Sequence, residues 1–253
     1  MIDTKPLISI ITVVYNGEQY LQQTIDSVVN QSFSNIEYII VDGGSTDATL
    51  SIIEKNRDHI SQWISEPDKG LYDAMNKGIS MANGVLIGMI NSDDWYELNA
   101  VEIVVNVYLK YPKKTIFHAN RFDVNEDDTK IIRKFNKWSF KFKYYGMTYN
   151  HPSMFIAPKE YKEHLYNTNL KSLSDYEFTL TAFLKNSNRF CYIDKAIVNY
   201  RLDGISAQMG YLKRKKERNV ARKQAGMPLL ERVFAFMFEA VVSLFYPIYK
   251  LLK

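Results

Sequence analysis

A chain of 253 residues, 46% hydrophobic and 24% charged, can bury one sizeable core with at most an appendage, and its composition excludes a disordered or collagen-like chain. The single cysteine, Cys191, excludes an internal disulfide and a cysteine-rich metal site; within Phe190-Cys191-Tyr192-Ile193 it reads as a buried structural thiol, which suits a reducing cytoplasm. The net charge of +4 is uneven: ten Lys and Arg against three Glu make residues 213–253 +7 and leave 1–212 at −3, which argues against a nucleic-acid-binding body.

The opening run MIDTKPLISIITVVYN has no basic lead and no small-residue cleavage pattern, so it reads as a first strand over Leu7–Val14 and not as a signal peptide. Leu21, Ile25, Val28 and Val29 then mark one face of a helix over Glu18–Gln31. Ile36–Val41 is a second strand, and a helix from Thr46 or Asp47 to Asn56 follows, with Ser45 or Thr46 as its N-cap. A third helix spans Leu71–Ala82 and stops at Asn83-Gly84; Val85–Ile90 is a third strand, and Asn99–Tyr111 a helix ended by Pro112. The strands are short, β-branched and nearly continuous in apolar residues, as strands covered on both faces are. Alternation with helices predicts an α/β fold, an open, mostly parallel twisted sheet with right-handed crossovers.

Ligands bind such sheets at the carboxyl ends of the strands. Polar clusters stand at all three ends: Tyr15-Asn16, Asp42-Gly43-Gly44-Ser45 and Asn91-Ser92-Asp93-Asp94. Backbone N–H groups around Gly44 and Ser45 can face a nucleotide, and the Asp42 carboxylate can accept hydrogen bonds from a base. Asp93-Asp94 can hold a hard divalent cation or cap the next helix. Neither a G-x-G-x-x-G spacing nor a Walker lysine occurs, which removes the nicotinamide and P-loop readings.

Beyond this point Thr115–Asn120 and Lys130–Phe135 read as strands around the acidic turn Glu126-Asp127-Asp128, His151–Ala157 as a strand, Ser174–Lys185 as a helix and Ala196–Leu202 as a closing strand. Residues 213–223, KRKKERNVARK, form a basic helix broken at Gly226-Met227-Pro228. A last apolar helix follows, interrupted by Glu239, Ser243 and Pro247, too short and polar for a span and suited to an interfacial position on an anionic leaflet or to packing against the domain or a second subunit.

The stretches PLISIITVVYNGEQYLQQTIDSVVNQSFSNIEYIIVDGGSTDATL, SEPDKGLYDAMNKGISMANGVLIGMINSDDWY, HPSMF and SLSDYEF together resemble family 2 glycosyltransferases, inverting enzymes of the GT-A fold, over residues 6–204. The resemblance implies a catalytic domain over 1–212, with a nucleotide-sugar half to about 112 and an acceptor half after it, and a helical tail over 213–253. It implies that Thr12, Tyr15 and Asn16, with Glu18 beside them, line a nucleotide pocket, and that Asp42 contacts the base. Lys69, Asp73 and Asn76 fall in the stretch that closes over the nucleotide. Asp93 and Asp94 match the metal and ribose site, with Asp94 the direct ligand of Mn2+ or Mg2+; Asn91 stands where the family often has Asp. Asp175 matches the catalytic base, with Glu177 two residues on as the fallback. An N-terminal helix position also suits Asp175 to a structural part. His151 can meet the donor diphosphate or the acceptor, or serve the structure.

The function so implied is transfer of a sugar from a nucleotide-sugar, a uridine diphosphate donor being the family expectation, to a glycan or lipid-linked acceptor in surface polysaccharide synthesis. The location expected is cytoplasmic and peripheral, with 213–253 on the inner face of the membrane and no nucleic acid as partner. A nucleotidyltransferase is the alternative, though TVVYNGEQY lacks the basic loop it needs; a non-catalytic nucleotide-sugar-binding protein is another.

Overall fold

The computed structural model describes residues 5–202 and 210–251. Residues 1–4 of the opening run and 203–209, before the tail, lie outside the described residues. The first half runs β1 (Ile8–Val14), α1 (Leu21–Val29), β2 (Ile36–Asp42), α2 (Thr49–Lys55), β3 (Gln62–Ser65), α3 (Leu71–Met81) and β4 (Leu86–Asn91). The second runs β5 (Trp95–Tyr96), α4 (Ala100–Lys110), β6 (Ile116–Val124), β7 (Lys130–Arg133), α5 (Ser139–Tyr144), β8 (Phe155–Ile156), α6 (Pro158–Glu163), α7 (Ser174–Asn186) and β9 (Phe190–Arg201). The tail is α8 (Tyr211–Gln224) and α9 (Leu229–Leu251).

Among these residues the strands make one sheet in the order β3-β2-β1-β4-β8-β6-β9-β5, with β7 beside β6. The first four strands are parallel throughout, as their apolar runs predict; in the second half β8, β7 and β5 pair antiparallel and β6 pairs parallel with β9. Alternate side chains of β1 enter two cores. Ile8, Ile10 and Val14 face one with Leu21, Ile25 and Tyr38, while Ile11 and Val13 face the other with Ile39, Met75 and Ile156. Gly78 lets α3 lie close on β1, since a Cβ there would come 2.5 Å from the Ile11 side chain.

Register fixes the site. Val14 of β1 pairs with Asp42 of β2, Val13 with Asn91 of β4, and Asp42 with Ser65 of β3, so the three polar clusters leave the sheet side by side. Three expectations need correction. His151–Ala157 is not one strand: Pro152 lacks an N–H for a ladder, and a 3-10 turn at His151–Ser153 precedes the two-residue β8. The closing strand begins at Phe190, not Ala196, and takes in Cys191; a register shift passes from Ala119 opposite Ile193 to Asn120 opposite Ala196, and this bulge breaks the alternation that would show a long strand. Neither Ser45 nor Thr46 caps α2, because Asp47 accepts the Thr49 N–H at 3.0 Å and Ser45 is engaged by Asp42. Short elements β3, β5, α5 and α6 carry too few residues to show a period.

The tail packs on the domain. Glu239 of α9 is buried and ion-paired with Arg222 (2.6 Å) and Arg218 (3.0 Å) of α8, and the Arg222 Nε donates to the Lys143 carbonyl at 3.0 Å. The glutamate that interrupts the apolar run is therefore an anchor inside the protein. On its other side α9 leaves Leu229, Leu230, Val233, Phe236, Met237 and Val241 exposed. Among the described residues no helix is long and apolar enough to cross a membrane.

Candidate active site

The loops after β1 and β2 are bound to each other. Asn16 adopts φ +50°, donates its N–H to the Ser45 hydroxyl (2.7 Å) and accepts the Thr46 N–H on its side chain (2.9 Å). The Gly17 N–H reaches the Thr49 hydroxyl at 2.9 Å, and Glu18 accepts the Ala48 N–H at 2.9 Å. Asp42 is fully buried: its Oδ2 accepts from the N–H groups of Gly44 (3.1 Å) and Ser45 (3.0 Å) and from the Ser65 hydroxyl (2.6 Å), while Oδ1 takes the Ser45 hydroxyl. Gly44, at φ +84°, bends the chain so that these amides turn back onto Asp42. The carboxylate that the sequence assigns to a base is thus the hub of its own turn. Tyr15 is 61% exposed above this platform, and its ring and the Asp68 carboxylate meet over Gly43, where a Cβ would collide with Asp68.

Thr12 stands apart from the pocket the resemblance gives it. It is fully buried within β1, its hydroxyl 3.0 Å from the Tyr38 hydroxyl, and presents no surface to a ligand. Lys69 and Asp73 form the entry to α3, the Asp73 carboxylate accepting the Lys69 N–H at 3.0 Å. Asn76 clamps α3 to the segment before α7, donating to the Tyr166 carbonyl (2.8 Å) and accepting its N–H (3.1 Å).

Asp94 sits at the junction of the two halves. Its carbonyl accepts the Thr24 hydroxyl (2.7 Å), and its Oδ1 accepts the N–H of Arg201, at the end of β9 (3.1 Å). Oδ2 is buried with no hydrogen-bond partner. Burial first, and then the negative charge of Asp93, push the Asp94 carboxyl well above the ordinary carboxylate range, against the opposing pull of the Arg201 N–H and the Arg121 and Arg201 guanidinium groups. A buried carboxylate oxygen with no partner costs free energy unless something supplies positive charge. Asp94 with Asp93 fits a hard cation on this ground. Among the described residues no three His, Cys, Asp or Glu side chains converge, so these two carboxylates are the whole of what the protein itself would offer such an ion.

A cleft of about 500 Å3 opens beside this point. Its lining includes Asn91, Tyr72 and Met75, His151, Asp175 and Tyr200, and the cations Arg121, Arg133, Lys134, Lys141 and Arg218. Asp175 opens α7 and accepts the Tyr72 hydroxyl at 3.1 Å. His151 Nε2 lies 2.9 Å from the Tyr166 hydroxyl; burial lowers its pKa, opposed by the charge of Asp175. Glu177, the fallback base, is excluded by geometry: it is fully buried and spends both oxygens on His164 Nε2, at 2.9 and 2.8 Å. Sequence reasoning missed Asp68, Tyr72 and the five cations. Asp68 and Tyr72 lie inside the quoted DKGLYD stretch, whereas the cations come from three separate regions with no shared motif.

Residues 9–167 match the family model described as glycosyl transferase family 2. The chain belongs to that family. Among relatives, it is 30% identical to the chondroitin synthase of Pasteurella multocida (strain Pm70) over 84% of this chain and 22% of that protein, and 30% identical to a hyaluronan synthase of Pasteurella multocida over 76% and 20%. The chain therefore spans about a fifth of the length of these two. Among solved structures it is similar to S. aureus TarS 1–349 in complex with UDP-GlcNAc, with TM-score 0.71, 20% identity and coverage of 90% of this chain and 69% of that one. The mannosyltransferase PcManGT of Pyrobaculum calidifontis, in complex with GDP-Man and Mn2+, gives TM-score 0.62 at 13% identity, over 88% and 64%. These likenesses show the GT-A-type fold, a mixed open sheet flanked by helices.

Proposed function

We propose that this family 2 domain transfers a sugar, with inversion, from a nucleotide-sugar to a hydroxyl of a glycan or lipid-linked acceptor in surface polysaccharide synthesis. The observation that carries the reading is one cleft in which Asn91, from the loop that holds Asp93 and Asp94, and Asp175, from the start of α7, face the same space. An inverting transfer needs a base on the acceptor side, opposite the leaving nucleotide, so that the hydroxyl attacks in line. Asp175 takes that part, held in place by the Tyr72 hydroxyl. The fixed turn of Asp42, Gly44 and Ser45, with Asn16 and Glu18 locking it and Tyr15 and Asp68 above it, forms the platform for a uridine diphosphate donor. Lys69 and Asp73, at the entry to α3, flank that platform. Asp94, with Asp93, would hold Mn2+ or Mg2+, which when bound supplies counter-charge and Lewis acidity to the leaving diphosphate. The exposed apolar strip of α9, beside the basic α8, is the surface for peripheral contact with an anionic leaflet, and the catalytic domain sits on its cytoplasmic side.

The test is Asp175→Asn. The amide keeps size and the hydrogen bond from Tyr72 but cannot take the acceptor's proton; general-base assistance is worth about 10²–10⁴ in rate, so turnover falls by roughly two decades or more. Near-normal transfer, with only the ~1 kcal/mol stability loss of a helix-terminus change, rejects Asp175 as the base. Hydrolysis or transfer of the donor by the wild type also separates this reading from a non-catalytic binding protein.

A further inference from the structure

The cleft beside Asp175 is far more cationic than a neutral sugar acceptor requires. Arg133 at the end of β7, the adjacent Lys134, Lys141 of α5 and Arg218 of α8 converge on it from three elements, with Arg121 of β6. Asp175 is the one carboxylate among the lining residues described. Some of this charge is compensated within the protein. Asp123 serves both Arg121 (2.7 Å) and Arg133 (3.4 Å), and Arg218 pairs with Glu239 at 3.0 Å. Lys134 and Lys141 form no ion pair among the described residues; Lys134 is felt by Asp194 only at a distance, and Lys141 Nζ lies 6.0 Å from the centre of the Tyr145 ring, so both ammonium groups keep hydrogen-bond donors for whatever enters the cleft.

Arg218 is held deliberately by its surroundings. Its guanidinium lies against Gly146, whose φ of +153° and missing side chain leave the space it fills, with Arg218 Nε 3.2 Å from where a Cβ would stand. Glu217, the preceding residue, accepts the Ser172 N–H at 2.9 Å and ties α8 to the loop before Asp175. The tail thereby contributes a charged wall to the cleft. Arg121 belongs to the other end, since its charge and that of Arg201 bear on Asp94. The four remaining cations lie towards Asp175, and bringing like charges together is unfavourable unless an anion joins them.

We infer that the acceptor carries an oxyanion, a carboxylate or a phosphate on or next to the accepting sugar, which Arg133, Lys134, Lys141 and Arg218 hold while its hydroxyl faces Asp175. The inference rests on the transfer reading above and adds the acceptor's chemical class. A neutral glycan would accept only ion–dipole hydrogen bonds from Lys134 and Lys141, whereas a contact to a carboxylate or phosphate is stronger and fixes orientation.

Calorimetric titration of the full chain, saturated with UDP and manganese, tests it with three probes: glucuronate, glycerol phosphate and uncharged glucose. The oxyanion probes bind and glucose does not at the same concentration; the better of the two charged probes tells carboxylate from phosphate. Lys134→Ala/Lys141→Ala weakens the charged probes by about ten-fold, the effect of two partly exposed charge contacts, and flattens their salt dependence. Its affinity for UDP, measured on the same sample, stays within about two-fold and shows that the variant is folded. Equal binding of glucose, or charged-probe affinity unchanged in the variant, overturns the inference. A loss of UDP affinity instead assigns the lysines to the donor diphosphate and overturns it as well. Failure of the wild type to bind any UDP-sugar would strike the transfer reading itself, which the UDP arm registers separately.

Discussion

The two sides of the site are built in opposite ways. On the donor side, the loops after β1 and β2 satisfy each other: Asp42 takes four hydrogen bonds from its own turn and Ser65, and Asn16, Gly17 and Glu18 close onto residues 45–49. At the junction with the acceptor side, Asp94 Oδ2 has no hydrogen-bond partner, and on the acceptor side itself Lys134 and Lys141 have no ion pair among the described residues. A platform that must present a fixed shape is closed by internal hydrogen bonds, and the groups that must meet charge are left incomplete by the protein alone.

The comparison predicts that substitutions on the two sides fail in different assays. Asp42→Ala removes one buried acceptor and strands the Gly44 and Ser45 amides and the Ser65 hydroxyl. At ~1–3 kcal/mol for each buried group left unpaired, a loss of about 3–5 kcal/mol follows, seen as a fall in denaturation midpoint. A variant with unchanged stability would show that the turn does not depend on Asp42, and the contrast between the sides would dissolve.

A smaller effect lies behind the cleft. His118 is enclosed by Phe135, Tyr149 and Tyr192, with ring centroids 4.4, 4.7 and 5.4 Å away, and burial lowers its pKa to about 3. An unfolded histidine titrates near 6.5, so the folded pKa is the depressed one. Its contribution is complete above about pH 6.5 and declines as pH falls towards 3, because only the unfolded chain takes the proton. At pH 5 the cost is about 2 kcal/mol, and His118→Phe should remove that increment from the pH 7 to pH 5 difference in stability. An identical pH dependence in wild type and variant would place the acid sensitivity elsewhere.

Smallest of the three, Glu177→Gln should cost roughly 1–2 kcal/mol by weakening the bonds to His164, with turnover unaltered. Two residues away, Asp175→Asn does the reverse. A Glu177→Gln variant that lost turnover would mean that the helix start, and not one carboxylate, controls the reaction.

The sequence makes the donor side legible because that side is local. Strand, turn and helix follow one another within residues 7–95, and register alone brings Val14, Asp42 and Asn91 level. It misplaces Thr12, since strand alternation decides which way a residue points and Thr12 points to Tyr38. It also overstates Asn76, whose amide bridges backbone groups that a sequence cannot bring together. The acceptor side is legible only at Asp175, through the SLSDYEF stretch. Its cations are contributed by β7 and the residue after it, α5 and α8, and their convergence depends on the mixed pairing of the second half and on the tail folding back through Glu239. Short elements and a bulged strand hide that arrangement from any periodic reading.

The division of labour between Asp94 and Asp175 is tested most directly by titrating a UDP-sugar into Asp94→Ala and Asp175→Asn, each with and without manganese. The wild type and Asp175→Asn should gain affinity on adding manganese and agree within about two-fold, while Asp94→Ala shows no manganese-dependent gain. Equal manganese-dependent affinity in all three proteins, or its loss in Asp175→Asn alone, would contradict that division.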